Sequence, residues 1–318
     1  MRTFFIIIFI FPIALISHAQ FPPAAGLPGS TALHKDSVQW VAWANICTVQ
    51  RGFLNIANPS LGTVSSGTEQ DACGIAGDGG ILSLGDGGIA ILQFPIPISN
   101  GLGPDFAVFE NAFNNTFLEL AFVEVSSDGQ NFVRFPSISN NDTSVQIGPF
   151  GASDASKIHN LAGKYRADYG TPFDLEELKD SSIIDINNIT HLRIIDAVGS
   201  ILTDYCSRDS RAVIINDPWT TPFNEGGFDL DAIGVIHTLS QNAVSITDNF
   251  VPKFYPNPIQ HDLIIESDKT VDYELYNLQG SQIYSGIVDS KITLDCTNLQ
   301  SGIYMLKIGN KGYQVVKM

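Results

Sequence analysis

Turn-forming residues interrupt this chain so often that long helices have little room to form. Of its 318 residues, 28 are glycine and 16 are proline, and the segments between them are short apolar runs of strand character. Charged residues are only 16%, so the Lys- and Glu-rich faces of coiled coils and helical bundles are missing. Hydrophobic residues reach 44%, enough to bury a core, which excludes a disordered chain. Seventeen Lys and Arg stand against 33 Asp and Glu, a formal charge of −16. No basic footprint exists to neutralise phosphates, so a nucleic-acid partner is excluded.

The N-terminal segment sets the expected compartment. Arg2 precedes the apolar run Phe4 to Ile16, and Ser17-His18-Ala19 places small residues three and one before Gln20. This pattern predicts a secretory signal peptide over 1–19. The run falls short of the roughly 20 apolar residues that span a bilayer. No second such run follows, so the mature chain is expected to carry no transmembrane segment.

Export permits disulfides, and Cys47, Cys73, Cys206 and Cys296 allow three full pairings. None lies in a CxxC. Cys47 with Cys73 is the nearest pair in sequence and the expected bridge.

Charge divides the chain. Residues 20–250 hold ten Lys and Arg against 26 Asp and Glu, whereas 251–318 hold six against seven. The break falls near Asn249-Phe250-Val251-Pro252, just before Tyr255-Pro256-Asn257-Pro258. Prolines there predict an extended linker or turn. The expected domains are a large one over 20–245 and a small one over 246–318.

In the small domain, strand patterns recur at 262–266, 271–276, 282–284, 291–295, 301–308 and 312–317, with a turn at Asn277-Leu278-Gln279-Gly280. So many short strands predict a small Ig-like β-sandwich. Tyr255-Pro256-Asn257-Pro258, Tyr276-Asn277-Leu278-Gln279-Gly280, Leu299-Gln300-Ser301-Gly302-Ile303-Tyr304 and Val315-Val316-Lys317-Met318 occur in that order. With these motifs the segment resembles the type A C-terminal sorting domain of the type IX secretion system of Bacteroidetes. The resemblance implies that this machinery is a partner. It also implies a secreted or outer-cell-surface location for the remainder.

The large domain reads as an all-β, jelly-roll-like sandwich. Strands are expected over 88–94, 106–110, 117–125, 131–135, 191–196 and 227–236, with a hairpin turn at Asp128-Gly129. A single helix is expected over Thr171–Leu178, with Thr as its cap. The Gly77-Asp78-Gly79-Gly80 and Gly85-Asp86-Gly87-Gly88 segments read as turns bracketing a strand at 81–84, since no lysine follows to make a phosphate loop. The hairpin Val123-Glu124-Val125-Ser126-Ser127-Asp128-Gly129-Gln130-Asn131-Phe132 resembles those of discoidin-like and galactose-binding-like jelly rolls. Segments such as Asp105-Phe106-Ala107-Val108-Phe109-Glu110-Asn111 and Gly226-Gly227-Phe228-Asp229-Leu230-Asp231-Ala232 look like a family of secreted bacterial surface proteins.

The chemical clue is acids placed inside strands. Alternation puts Asp229 and Asp231 on one face, roughly 6.5–7 Å apart, with Phe228, Leu230 and Ala232 on the other. In 117–125 both faces are apolar, so Glu119 and Glu124 fall on opposite faces of a central strand. Unpartnered buried carboxylates are costly. Calcium, which takes six to eight oxygens, is one expected partner, with Asp105, Glu110, Asn111, Asp229 and Asp231 as its ligands. The bland alternative pairs these acids with Arg51, Arg134, Arg193 or backbone amides. Trp219, in the Pro-bounded loop Asn216–Pro222, is the candidate aromatic platform for a sugar, or else a buried anchor.

No GxSxG, HExxH or Walker A motif is present, and the histidines lack metal-ligand spacing. No catalytic residue is assigned. The expected function is a surface binding or adhesion module, with calcium-assisted binding of extracellular glycans. The alternatives are a carbohydrate-active enzyme using paired carboxylates and a structural surface component.

Overall fold

The structure is a computed structural model that describes residues 21–239, 252–277, 281–309 and 311–318. The expected leader (1–19), the expected domain boundary and most of the turn at 277–280 lie outside the described residues. The chain divides into two compact units, Met1–Val244 and Ser245–Met318, and both are built from antiparallel strands.

The large unit contains β1 (Leu33–His34), β2 (Ala42–Trp43), β3 (Ile46–Gln50), β4 (Leu82–Ser83), β5 (Ile89–Ile98), β6 (Phe106–Glu110) and β7 (Ala121–Ser126). It continues through β8 (Val133–Arg134), β9 (Ile138–Ser139), β10 (Ile158–His159), β11 (Tyr169–Phe173), β12 (Ile189–Asp196) and β13 (Asp229–Val235). One sheet runs β1-β11-β6-β13-β2, with β4 added to β13, and the other runs β3-β5-β12-β7-β8. Phe106 and Val108 of β6 and Leu230 and Val235 of β13 share one core with Leu92, Val123, Val125 and Leu192 of the second sheet. Two sheets joined by one apolar layer form a β-sandwich.

Local rules shift three expected elements. Phe117–Leu120 stays out of the ladder because the Leu120 N–H donates to Asp217 Oδ2 at 2.9 Å rather than to a strand. The expected helix at 171–178 is strand β11 followed by a 3-10 turn, Leu175–Leu178, whose cap is Asp174, accepting from Glu176 N. In β13 the register slips between Leu230 and Ala232. This bulge sends Ala232 to the outer cluster with Phe109, Trp40 and Trp43, while Ile233 returns to the core. Elsewhere the pattern holds. β7 is buried along its whole length, and the β7–β8 hairpin turns at Asp128, whose Oδ1 accepts from Gln130 N and Asn131 N at 2.8 Å each.

The expected bridge is corrected. Cys47 and Cys73 are free buried thiols. Their sulfurs serve backbone carbonyls instead, Cys47 Sγ that of Thr48 at 3.8 Å and Cys73 Sγ that of Glu69 at 3.4 Å. Burial first, then the neighbouring Cys73, pushes the Cys47 thiol up to about 12, so both sulfurs are packing groups here.

The small unit contains β14 (Lys253–Tyr255), β15 (Asp262–Glu266), β16 (Val271–Asn277), β17 (Gln282–Val288), β18 (Lys291–Asp295), β19 (Gly302–Ile308) and β20 (Lys311–Lys317). They form the sheets β14-β15-β18 and β17-β16-β19-β20. Leu263, Ile265 and Leu294 of one meet Leu275, Leu306 and Val315 of the other in a second core. Asn257, between two cis prolines, accepts from Val316 N at 2.9 Å and donates to Gln314 O at 3.1 Å. The asparagine thus ties the proline segment to the last strand.

Candidate functional site

The loops that enter and leave the sandwich at the ends of β6 and β13 enclose an unusual group of acids. Glu110 closes β6, Asp229 opens β13, and the register places Leu230 opposite Glu110. Glu119 lies on the stretch leading into β7. Gly163 lets the chain pass closely there, since a Cβ on it would meet Glu119 O at 1.8 Å. Glu110, Glu119 and Asp229 are 1%, 6% and 5% exposed.

Each acid has a different hydrogen-bond supply. Asp229 Oδ1 accepts from Ser83 Oγ at 2.5 Å, and Asn111 adds a side-chain donor. Glu110 Oε2 accepts from Ala112 N at 2.8 Å, whereas its Oε1 is buried with no partner. Among the described residues, no hydrogen bond reaches the Glu119 carboxyl. Burial, then the charge of Asp229, drives Glu110 well above the usual carboxylate range. Burial, then Glu110 and Asp229, does the same to Glu119. Burial lifts Asp229 to about 7 against the Ser83 hydrogen bond.

A second tier of acids fastens the loops beneath. Asp196 accepts from Phe228 N at 2.8 Å and Gly87 N at 2.9 Å. Asp217 holds Leu120 N, and Gly199 makes room for it, because a Cβ there would stand 1.6 Å from Asp217 Oδ1. Asp86 accepts from Ile56 N at 2.8 Å and from Trp219 Nε1 at 3.0 Å. Burial raises all three, Asp196 to about 8. Glu119 and Thr221 line both the narrow cavity among these acids and the open pocket above it.

That pocket encloses about 430 Å³. Glu119 and Asp229 belong to its lining, as do Asn111 and Glu225. Phe113, Phe117, Phe150 and Phe223 line it too, and their rings follow one another near-parallel. Centroid separations are 4.6 Å from Phe113 to Phe117, 6.4 Å from Phe117 to Phe150 and 5.8 Å from Phe150 to Phe223. Phe113 and Phe150 are 68% and 72% exposed. Aromatic side chains so open to water, grouped beside a pocket, mark a contact surface.

The expected ligand set divides. Glu110, Asn111 and Asp229 come together. Asp105 precedes β6, roughly 16 Å from its far end at the strand rise, and is used by Gly101 N, Leu175 N and His237 Nδ1 at 2.7, 2.7 and 2.8 Å. Both oxygens of Asp231 accept from Gly77 N, at 3.1 and 2.9 Å. These five residues therefore do not fit one calcium ion. Among the described residues, no three His, Cys, Asp or Glu side chains form a metal-ligating group. Nor, among the described residues, does an arginine pair with Asp229 or Asp231. Arg51 donates to the carbonyls of Ser66, Ser83 and Gly67, and Arg134 and Arg193 both serve Glu124, by Nε at 2.8 and 2.5 Å.

Trp219 is also corrected. It is buried at 9% exposure and spends its N–H on Asp86, so it anchors its loop and offers no sugar platform. The exposed aromatics are phenylalanines that sequence reasoning passed over. Their signal was available: Phe113, Phe150 and Phe223 sit beside Asn, Gly or Pro in turn-like segments where no strand period could bury them.

Residues 253–318 match the family "Secretion system C-terminal sorting domain". This tail marks the protein for export by the type IX secretion system to the outer cell surface or the medium. Among the described residues, no helix is long and apolar enough to cross a membrane. No curated protein matches the chain. Among solved structures, the chain is similar to the BSP domain of a biofilm-associated protein, with 11% identity over 76% of this chain and 49% of that one, TM-score 0.21. It is also similar to β-glucuronidases of Ruminococcus gnavus (11% identity, 89% and 46% covered, TM-score 0.25) and Parabacteroides merdae (10%, 87% and 35%, TM-score 0.22). The chain spans less than half the length of these structures, and at such scores the likeness carries no argument about activity.

Proposed function

We propose that the large unit is a binding module, displayed on the outer surface or secreted, that holds extracellular glycans in the pocket between Phe150 and Asp229. The observation that carries this reading is the row of exposed phenylalanines beside a pair of carboxylates. Pyranose rings present apolar C–H faces that pack on aromatic rings, while their hydroxyls donate to carboxylate oxygens. The discoidin- and galactose-binding-like character of the sequence agrees with this use of loops at one end of a sandwich. A glycan array run with the intact protein, with and without calcium, tests it. Binding that Phe150→Ala and Phe223→Ala both abolish supports the reading, and an array without a hit refutes it. The calcium arm decides whether a metal assists.

A second reading follows from Glu119 and Asp229 sharing one pocket. Burial, then Glu110 and Asp229, raises the Glu119 carboxyl, the direction a general acid needs, and Asp229 would be the base or nucleophile. Release of reducing sugar from any glycan bound on the array, lost in Glu119→Gln, would establish the enzyme over the binding module.

A further inference from the structure

We infer that the pocket selects glycans carrying a positive charge, such as amino sugars, over neutral ones. This inference rests on the glycan-binding reading and narrows it. Every titratable side chain that lines the pocket is an acid: Glu119, Glu225 and Asp229. No Lys, Arg or His lines it. The charge of Arg51 acts on Asp229, but its guanidinium hydrogens go to three carbonyls.

The decisive feature is what the acids lack. Glu119 is 94% buried, faces the pocket, and receives no hydrogen bond among the described residues. The buried Oε1 of Glu110, whose charge acts on Glu119, has no hydrogen-bond partner. A buried carboxyl without a donor is costly, and carboxyls crowded together add mutual repulsion. A cation in the pocket relieves both penalties at once. A neutral sugar offers only hydroxyl and amide donors without charge, and an anionic one would be repelled. The phenylalanines suit the same guest, since aromatic rings attract ammonium groups, more strongly where water is excluded. A metal ion suits it less, because among the described residues no three acids converge as ligands and phenyl rings supply no oxygen.

The test uses three β-1,4-linked tetrasaccharides with the intact protein by calorimetry at pH 8: glucose, N-acetylglucosamine and N,N,N-trimethylglucosamine oligomers. The last carries a charge that no pH removes. We expect it to bind about tenfold or more tighter than the other two, the worth of a partly desolvated cation contact. That preference should vanish in Glu119→Gln and in Asp229→Asn, and should weaken towards pH 5.5 as Asp229 protonates. Equal affinity for all three oligomers overturns the inference and leaves the glycan reading intact. Tighter binding of a neutral oligomer overturns it as well. If none of the three binds, the inference falls, and the array decides the broader reading separately.

Discussion

Ser83 donates its hydroxyl to Asp229 Oδ1 at 2.5 Å across the β4–β13 ladder. Both residues are buried. This bond opposes the desolvation that lifts Asp229 to about 7, and so keeps the acid titratable near neutral pH. Ser83→Ala should move the Asp229 midpoint further up, as read by carboxyl carbon NMR. It should also cost about 1–2 kcal/mol above pH 7, where the bond serves a charged acceptor.

Stability should fall as pH rises. Asp196, Asp229 and Asp231 have folded-state values of about 8, 7 and 6 against 3.8. Because these values are raised, the folded state holds more protons between pH 4 and 8, and its advantage is lost across that window. The melting temperature of the large unit should therefore be higher near pH 5 than near pH 8. Asp229→Asn should flatten the slope by at most about 4 kcal/mol, at roughly 1.4 kcal/mol per unit. A curve that rises from pH 5 to 8 in both proteins would refute this account.

Two glutamates five residues apart should behave oppositely. Glu124 is flanked by Arg134 and Arg193, and Glu124→Gln removes the charge that holds both. With the arginines partly exposed, the loss should be about 1–3 kcal/mol. Glu119 has no such partner, and Glu119→Gln should leave stability at pH 8 unchanged or raise it. Urea midpoints of the two variants decide the matter.

Thiol labelling should follow burial. Cys206 is half-buried, while Cys47, Cys73 and Cys296 are buried, and burial holds the thiols of those three up. Brief alkylation of the native protein, read by peptide mass spectrometry, should mark Cys206 first. Early loss of the Cys47 thiol would contradict the packing described here.

Removing 252–318 deletes the matched sorting segment. In its own host the truncated chain should accumulate in the periplasm, as measured by fractionation. Normal surface levels would overturn the role given to the tail.

Much of this was readable from residue order. The sandwich class follows from local rules: dense turn residues, period-two alternation in Val271–Asn277, and Asp128-Gly129 between two apolar runs. The sorting tail was likewise legible from its motifs. That strand acids were buried could be suspected from Glu119 and Asp229, because an acid amid apolar neighbours shows in any sequence.

What sequence could not supply was convergence. Asp105 and Glu110 are neighbours in the chain but stand at opposite ends of β6. Glu119, Phe150 and the 223–229 stretch are far apart in sequence and line one pocket. The β13 bulge breaks the alternation that put Asp229 and Asp231 on equal terms, and Gly77, 154 residues from Asp231, satisfies one and not the other. Strand and turn are set by short-range sterics and hydrogen bonding, which neighbouring residues determine. Which carboxylates meet, and which go unpaired, depends on loop paths and sheet register. Only the packing of the whole sandwich fixes those.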